Sequence, residues 1–411
     1  MVQPAPQRVG QPSPLVFHLG AALAAYSQAL LAAPRADCAS FPWVDGLGEL
    51  AARLGPDLDR IEIACELASR LRETIEGLEI WQSHPYRRTL EDPPAIWSEG
   101  CSRLLDFGQV SEASNPEGEP LLIVPSLINR SYILDLAPGR SLLRWLAGRG
   151  FRPLMLDWGA PGLAEAGFGL EEYGACRLAP ALAHVAALTG RPVPAIGYCM
   201  GGTLAAGLAA RRPEGLSRLV TIGAPWDFAS TDGLAGTLRA MMRSDGGAEK
   251  AQAFLRALAD AFGFVPVAVF QMLFALINPL QTALKFQKLA RMAPDGAGAQ
   301  FFVALEDWLA DGVPMPCGAA QDLLVGWQVE NRTAMGRWDF LGGPVQLDKI
   351  EVPVLSFCGR SDSIAPPSLS EALPCAIPDA RLIRPRTGHV GMVVGSGART
   401  AVWQHLAQFL V

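Results

Sequence analysis

The chain has 411 residues, half of them apolar and 18% charged, which is enough for one large domain with additions or for two domains. A net charge of −6, from 40 acidic and 34 basic residues with no long basic run, argues against a nucleic-acid partner. Eight cysteines, at positions 38, 65, 101, 176, 199, 317, 358 and 375, form no CxxC pair and no zinc or disulfide framework, and read as free thiols of a reducing cytoplasm.

Near the N-terminus, LVFHLGAALAAYSQALLAA (15–33) is apolar but broken by His18, Tyr26, Ser27 and Gln28, and Arg8 is the only basic residue ahead of it. A secretory leader needs a charged start and a cleaner apolar centre, and a membrane span needs about 20 predominantly apolar residues. The stretch is read as a packed or surface amphipathic helix, with a lipid contact as the alternative. Residues 1 to 115 show no regular strand–helix alternation. Within them, Leu47, Leu50, Leu54, Ile61, Cys65, Leu67 and Leu71 recur at helical intervals, so the region is expected to be a mainly helical extension. A polar turn-rich loop, SNPEGEP (114–120), closes it.

Alternation then begins. Strands are expected over LLIVPSL (121–127), FRPLMLDW (151–158), PVPAIGYC (192–199) and RLVTIGAP (218–225). Helices are expected between them over 141–150, 170–190 with a kink at Pro180, and 201–213. Such alternation implies an α/β fold, a mostly parallel sheet with helices on both faces. Residues 226–335 break the pattern with helical sequence, FVPVAVFQMLFALINPLQTALKFQKLARM being the most apolar part. An insertion there would lie over the carboxyl edge of the sheet, where ligands bind in open α/β folds, so it is read as a cap. Strands resume at VPVLSFCGR (352–360) and ARLIRPRTG (380–388), before a closing helix near 397–410. The expected organisation is an extension (1–115), a first core segment (116–225), a cap (226–335) and a second core segment (336–411).

The chemistry centres on GYCMGG. Strand, Gly-x-Cys-x-Gly and helix make a nucleophile elbow with cysteine in the serine position. A chain of this composition would hold roughly 0.08 such matches by chance, so the flanking strand and helix matter as much as the motif. The nucleophile sits in a strained positive-φ turn, so its neighbours must be small: Gly197 and Gly201 flank Cys199, and Gly202 lets the helix approach the strand. The helix N-terminus favours negative charge at the sulfur and at a nearby oxyanion. The Met200 amide is the expected first oxyanion donor, and a second is expected after LLIVP, at Leu127 or Ile128.

In this architecture the acid and the histidine follow the nucleophile along the chain. Of the five histidines, His18, His84 and His184 precede Cys199, and His405 lies within the last expected helix. His389, in RTGHVG just past the last strand, is therefore the expected base. Asp362, in the turn after VPVLSFCGR, is expected to orient it; Asp348 and Asp379 precede strands instead. A Cys–His pair forms thiolate at neutral pH, and acyl exchange between thioesters is nearly balanced, which favours acyl transfer.

From about residue 90 onward the chain resembles the polyhydroxyalkanoate synthases, cysteine members of the α/β-hydrolase fold. PSLINRSYILDLAPGRSLLRWLAGRGFRPLMLDWGAP is similar to the synthase stretch entering the sheet, with Asn129, Tyr132, Asp135, Leu136, Ser141, Asp157, Trp158 and Pro161 in matching places. GYCMGG, APWDF (224–228), the run from NRTAMGRWDF to SDSIAPPS, and TGHVG also match. The resemblance implies that Cys199 carries the growing chain, His389 is the general base and Asp362 supports it. It implies a 3-hydroxyacyl-coenzyme A substrate, a polyester product and no metal or other cofactor. It also implies a homodimer, in some members a second non-catalytic subunit, and residence in the cytoplasm or at polyester granules. The Trp-Asn-x-Asp-x-Thr element of the cap keeps only Trp308 and Asp311, within EDWLADGVPMP. Lys285, Lys288 and Arg291 read as a solvated helix face, with coenzyme A phosphates as the alternative partner. A thioester or polyester hydrolase with the same triad, and a non-catalytic granule protein, are the competing readings.

Overall fold

A computed structural model of the chain describes residues 15–32, 60–230, 236, 238–240, 246–278 and 281–411; Arg8, Cys38, Leu47, Leu50 and Leu54 lie outside these. The chain divides into two compact units, residues 1–87 with 278–306 and residues 88–277 with 307–411.

In the smaller unit the apolar stretch near the N-terminus is a helix, Leu15–Ala32, and a second helix spans Arg60–Ser83. No helix among the described residues is long and apolar enough to cross a membrane. The helix Gln281–Ala290 lies against Arg60–Ser83 so closely that a Cβ at Gly77 would be 2.0 Å from the Phe286 carbonyl oxygen. Trp81 and Phe286 meet with ring centroids 5.6 Å apart, and the buried Gln287 amide donates to Thr74 Oγ1 at 3.1 Å. Apolar packing thus gathers 278–306, part of the stretch read as one cap, with the N-terminal helices. Lys285 pairs with Glu306 and Arg291 with Glu73, each at 2.6 Å, while Lys288 is exposed.

The larger unit is built on a sheet. Its strands are β1 (Ala95–Glu99), β2 (Ser102–Asp106), β3 (Glu119–Val124), β6 (Phe151–Asp157), β7 (Val193–Tyr198), β8 (Leu216–Ile222), β9 (Val354–Phe357) and β10 (Arg381–Ile383). A small separate hairpin joins β4 (Asp135–Ala137) to β5 (Arg140–Ser141). Among the described residues the main sheet has eight strands in the order β1-β2-β6-β3-β7-β8-β9-β10. The pairs β1–β2 and β2–β6 are antiparallel, and from β6 to β10 every pair is parallel. Strands β7 and β9 are buried along their whole length, as parallel strands covered on both faces must be.

One expectation needs correction. The extension to residue 115 was expected to be mainly helical, yet it contains the antiparallel pair β1–β2. Their edge position explains the weak signal: β1 is half-exposed, with only the short apolar run Ala95-Ile96-Trp97, and turns into β2 through Gly100 at φ +57°. The 170–190 helix is continuous, and its one irregularity, a widened turn over Gly174–Leu178, comes immediately before Pro180, whose ring and missing N–H disfavour a regular turn there.

The strand order reverses direction at one place. The chain moves from β3 to β6 on one side, then returns past β3 to β7 and continues outward through β8 to β10. Right-handed crossovers therefore put the helix Leu142–Ala147 on one face and the helices Ala179–Thr189 and Met200–Ala210 on the other. Trp403, at the head of the closing helix Gln404–Leu410, meets Trp145 at 5.5 Å, which puts both on the first face. Such a reversal opens a crevice at the carboxyl ends of β3 and β7.

Candidate active site

Cys199 follows β7 at that crevice. It has φ 55° and ψ −129°, a strained conformation for a side-chain-bearing residue, and is half-buried. Its amide donates to the Ile222 carbonyl at 2.9 Å, and its own carbonyl accepts from Gly202 at 2.8 Å. The elbow glycines are required by contact. A Cβ at Gly197 would lie 2.4 Å from Gly202 Cα, one at Gly201 would lie 2.2 Å from the Val124 carbonyl oxygen, and one at Gly202 would lie 2.7 Å from Ala224 Cβ. The helix Met200–Ala210 begins immediately, so its N-terminus points at the sulfur.

Asp362 and His389 come from the loops after β9 and β10, which stay paired through the backbone beyond the strands. Cys358 donates to Ile383 at 3.0 Å, Arg360 to Pro385 at 2.9 Å and Ser361 to Thr387 at 3.2 Å. Asp362 Oδ2 meets His389 Nδ1 at 2.7 Å, while Oδ1 accepts from the amides of Ile364 at 2.9 Å and Ala365 at 2.8 Å. Both side chains are buried. The carboxylate is thereby fixed by its own turn and fixes Nδ1 as the donor.

The other ring nitrogen, Nε2, is buried and makes no aligned hydrogen bond, yet the Cys199 sulfur is near enough to act on the ring. Such pairs are often loose before substrate binds. Burial works against the imidazolium, but the charges of Cys199 and Asp362 and hydrogen bonding to both outweigh it and raise His389 to about 10. The direction favours the imidazolium, the form His389 takes when it receives the thiol proton.

The expected oxyanion donors belong to the residue after Cys199 and to the loop after β3, which packs against the elbow at Gly201. Met200 is the first residue of its helix, so its amide has no partner within the helix. Leu127 and Ile128 lie on the loop after β3, which abuts Gly201 at Pro125. Ile128 N–H is turned to Ser126 Oγ at 3.4 Å, leaving Leu127 the less engaged of the two. The loop is held by residues far along the chain: Trp158 Nε1 donates to the Pro125 carbonyl at 3.0 Å, and Ser131 Oγ to Asp157 at 3.2 Å.

Two site residues escaped the sequence reading. Tyr198 lies next to the nucleophile, and its ring sits against His389 with centroids 5.1 Å apart. Gly223, just past β8, has φ +60°, and a Cβ there would lie 3.0 Å from His389 Nδ1. Its only signal was a glycine ending a strand. The passed-over histidines are elsewhere: His84 meets the Pro294 carbonyl at 3.0 Å, and His184 packs near Trp97 at 6.5 Å. Of the rival acids, Asp348 pairs with Lys349 at 3.7 Å.

The chain belongs to the α/β-hydrolase fold family, whose family model matches residues 119–396. Within that class it is similar to poly(3-hydroxyalkanoate) polymerases, as its motifs implied. It is 28% identical over 346 residues to the polymerase subunit PhaC of Haloferax mediterranei, covering 83% of this chain and 68% of that one. It is 29% identical over 343 residues to PhaC of Haloarcula marismortui, covering 81% and 70%, and 27% identical over 321 residues to PhaC of Synechocystis sp., covering 77% and 83%.

Proposed function

We propose that the protein is an acyltransferase that polymerises 3-hydroxyacyl-coenzyme A into polyhydroxyalkanoate through an acyl-Cys199 intermediate. Similarity to the polymerases along most of the chain supports the reaction class. The single observation that carries the residue assignment is the buried His389 ring, bonded to Asp362 on one side and facing Cys199 on the other.

In the proposed cycle His389 Nε2 takes the thiol proton and the Cys199 thiolate attacks the thioester carbonyl. The oxyanion that forms meets the amides of Met200 and of Leu127 or Ile128. The carbon–sulfur bond to coenzyme A breaks, and the leaving thiolate takes the proton back from His389. A second monomer then presents its 3-hydroxyl. His389 removes that proton, the alkoxide attacks the acyl-cysteine, and an ester forms as the Cys199 thiolate leaves. Asp362 keeps the ring oriented throughout. No cofactor other than the thioester substrate enters the cycle. A homodimer, in some settings with a non-catalytic subunit, working in the cytoplasm at the granule surface, accords with this assignment.

Incubation with 3-hydroxybutyryl-coenzyme A tests the proposal. Polymer or oligomer together with free coenzyme A is the expected product. Monomeric 3-hydroxybutyrate with free coenzyme A would instead identify a hydrolase, and no release of coenzyme A would identify a non-catalytic binder.

A further inference from the structure

The loop after β3 has an irregular backbone, and beyond its bonds to Ser126, Trp158 and Asp157 it is gripped by a segment almost two hundred positions downstream. Trp308, buried in the last turn of the helix Ala297–Ala310, donates its indole N–H to the Arg130 carbonyl at 2.8 Å. Asn129 and Gly312 form an antiparallel bridge, and the Val313 amide donates to the Ile128 carbonyl at 3.3 Å. Arg130 Nε meets Asp311 Oδ1 at 3.5 Å. Gly312 is threaded through a gap that leaves no room, since a Cβ there would lie 2.2 Å from Val267 Cγ2. All these residues belong to the larger unit. The grip falls on three consecutive residues, Ile128 to Arg130, which include or directly follow the two expected oxyanion donors, Leu127 and Ile128.

We propose that Trp308 and Asp311 are positioning residues for the oxyanion loop: by clamping Ile128–Arg130 they aim its amides at the carbonyl attacked by Cys199. The inference rests on the acyl-Cys199 reading above. A displacement of about 1 Å in a group that meets the transition state is enough to slow a reaction about a hundredfold. Trp308 carries the larger share, because its side chain is buried and its bond is short. The Arg130–Asp311 pair is half-exposed and longer, and pairs of that kind hold weakly.

The test separates two reactions of the same sulfur. Acylation by 3-hydroxybutyryl-coenzyme A passes through an oxyanion, whereas alkylation by iodoacetamide is a direct displacement and forms none. Both rates are read by rapid quench and intact-protein mass spectrometry, with the site assigned by peptide mapping. Trp308→Phe keeps the ring and loses the N–H. It is expected to slow acylation about 10- to 100-fold and to leave alkylation within about twofold, since complete loss of an oxyanion donor costs about 10²- to 10³-fold. Asp311→Asn is expected to slow acylation about three- to tenfold with the same selectivity. Acylation of Trp308→Phe at the wild-type rate would overturn the clamp while leaving the acyl-cysteine reading intact. Absence of wild-type acylation at Cys199 would overturn the reading itself. If Trp308→Phe slows both reactions alike, Asp311→Asn decides: selective slowing supports the clamp, and equal or absent slowing removes it.

Discussion

On one flank of Cys199, Asp362 and His389 sit on loops that prolong two adjacent strands, and hydrogen bonds between Cys358 and Ile383, Arg360 and Pro385, and Ser361 and Thr387 carry the strand pairing into the site. On the other flank, the loop after β3, proposed to supply an oxyanion donor, is held by Trp158 and Trp308, side chains contributed from distant parts of the chain. The first flank is set by the sheet and tolerates little adjustment. The second depends on individual side-chain bonds that can be cut one at a time. Chemistry that needs the Asp362–His389 pair should therefore fail abruptly on substitution, and chemistry that needs the oxyanion loop should decline in steps.

The largest effect is expected where the flanks meet. Cys199→Ala should reduce turnover by on the order of 10⁶-fold, since losing a nucleophile removes the catalytic unit as a whole. Intact-protein mass spectrometry should show no acyl adduct on the variant, while its circular dichroism spectrum matches the wild type. An adduct of undiminished yield would move the nucleophile elsewhere and dissolve the distinction between the flanks.

Gly223→Ala probes the sheet-built flank without replacing Asp362 or His389. Alanine at φ +60° costs about 1–2 kcal/mol, and its Cβ would press on the imidazole at 3.0 Å from Nδ1. Turnover is expected to fall about 10- to 100-fold, with a melting temperature lowered by a few degrees and KM nearly unchanged. Unaltered kcat would mean that the ring has freedom to move, against the picture of a rigid flank.

The ionisation of His389 gives a subtler readout. Burial lowers its pKa, but Cys199 and Asp362 outweigh burial, so the folded-state value is about 10 against 6.5 for the free side chain. A raised value stabilises the folded protein fully below about pH 6.5, and the contribution is lost as pH rises through about 10. In Cys199→Ala the sulfur's share disappears, so the imidazole should titrate at lower pH by nitrogen NMR. The loss of thermal stability between neutral and alkaline pH should shrink in parallel. An unchanged titration would show that the thiol exerts no influence on the ring.

The same contrast explains what could be read from the sequence. The parallel strands were legible because burial on both faces makes them continuous apolar runs, as in PLLIV and VPAIGY. The candidates Cys199, Asp362 and His389 could be picked out because a strand-following position and a fixed chain order leave few choices among five histidines, and the structure joins two of them, Asp362 and His389, in a hydrogen bond. The β1–β2 pair was not, since a half-exposed edge strand carries little pattern. Nor was the grip of Trp308 on Arg130, because a single bond spanning 178 positions leaves no periodicity behind. The grouping of 278–306 with the N-terminal helices was hidden for a related reason: amphipathic helices announce that they need a partner but not which one.

The smallest expected effect concerns Tyr198. Its ring lies against His389, but its hydroxyl is buried with no hydrogen-bond partner, and an unpaired buried hydroxyl costs about 1–3 kcal/mol. Burial, then the nearby charges of Cys199 and Asp362, push its ionisation well above the ordinary tyrosine value, so it stays neutral and is unsuited to act as a base. If the residue serves only to pack the imidazole, Tyr198→Phe keeps the ring, removes the unpaired group and should raise stability by about 1 kcal/mol in urea denaturation with turnover within twofold. Tyr198→Leu would lose the ring contact and should lower turnover by more than the phenylalanine variant does. A tenfold loss in Tyr198→Phe would instead mean that the hydroxyl finds its partner in the bound substrate. In that case the sheet-built flank would hold a substrate-binding group, beyond the packing of the imidazole.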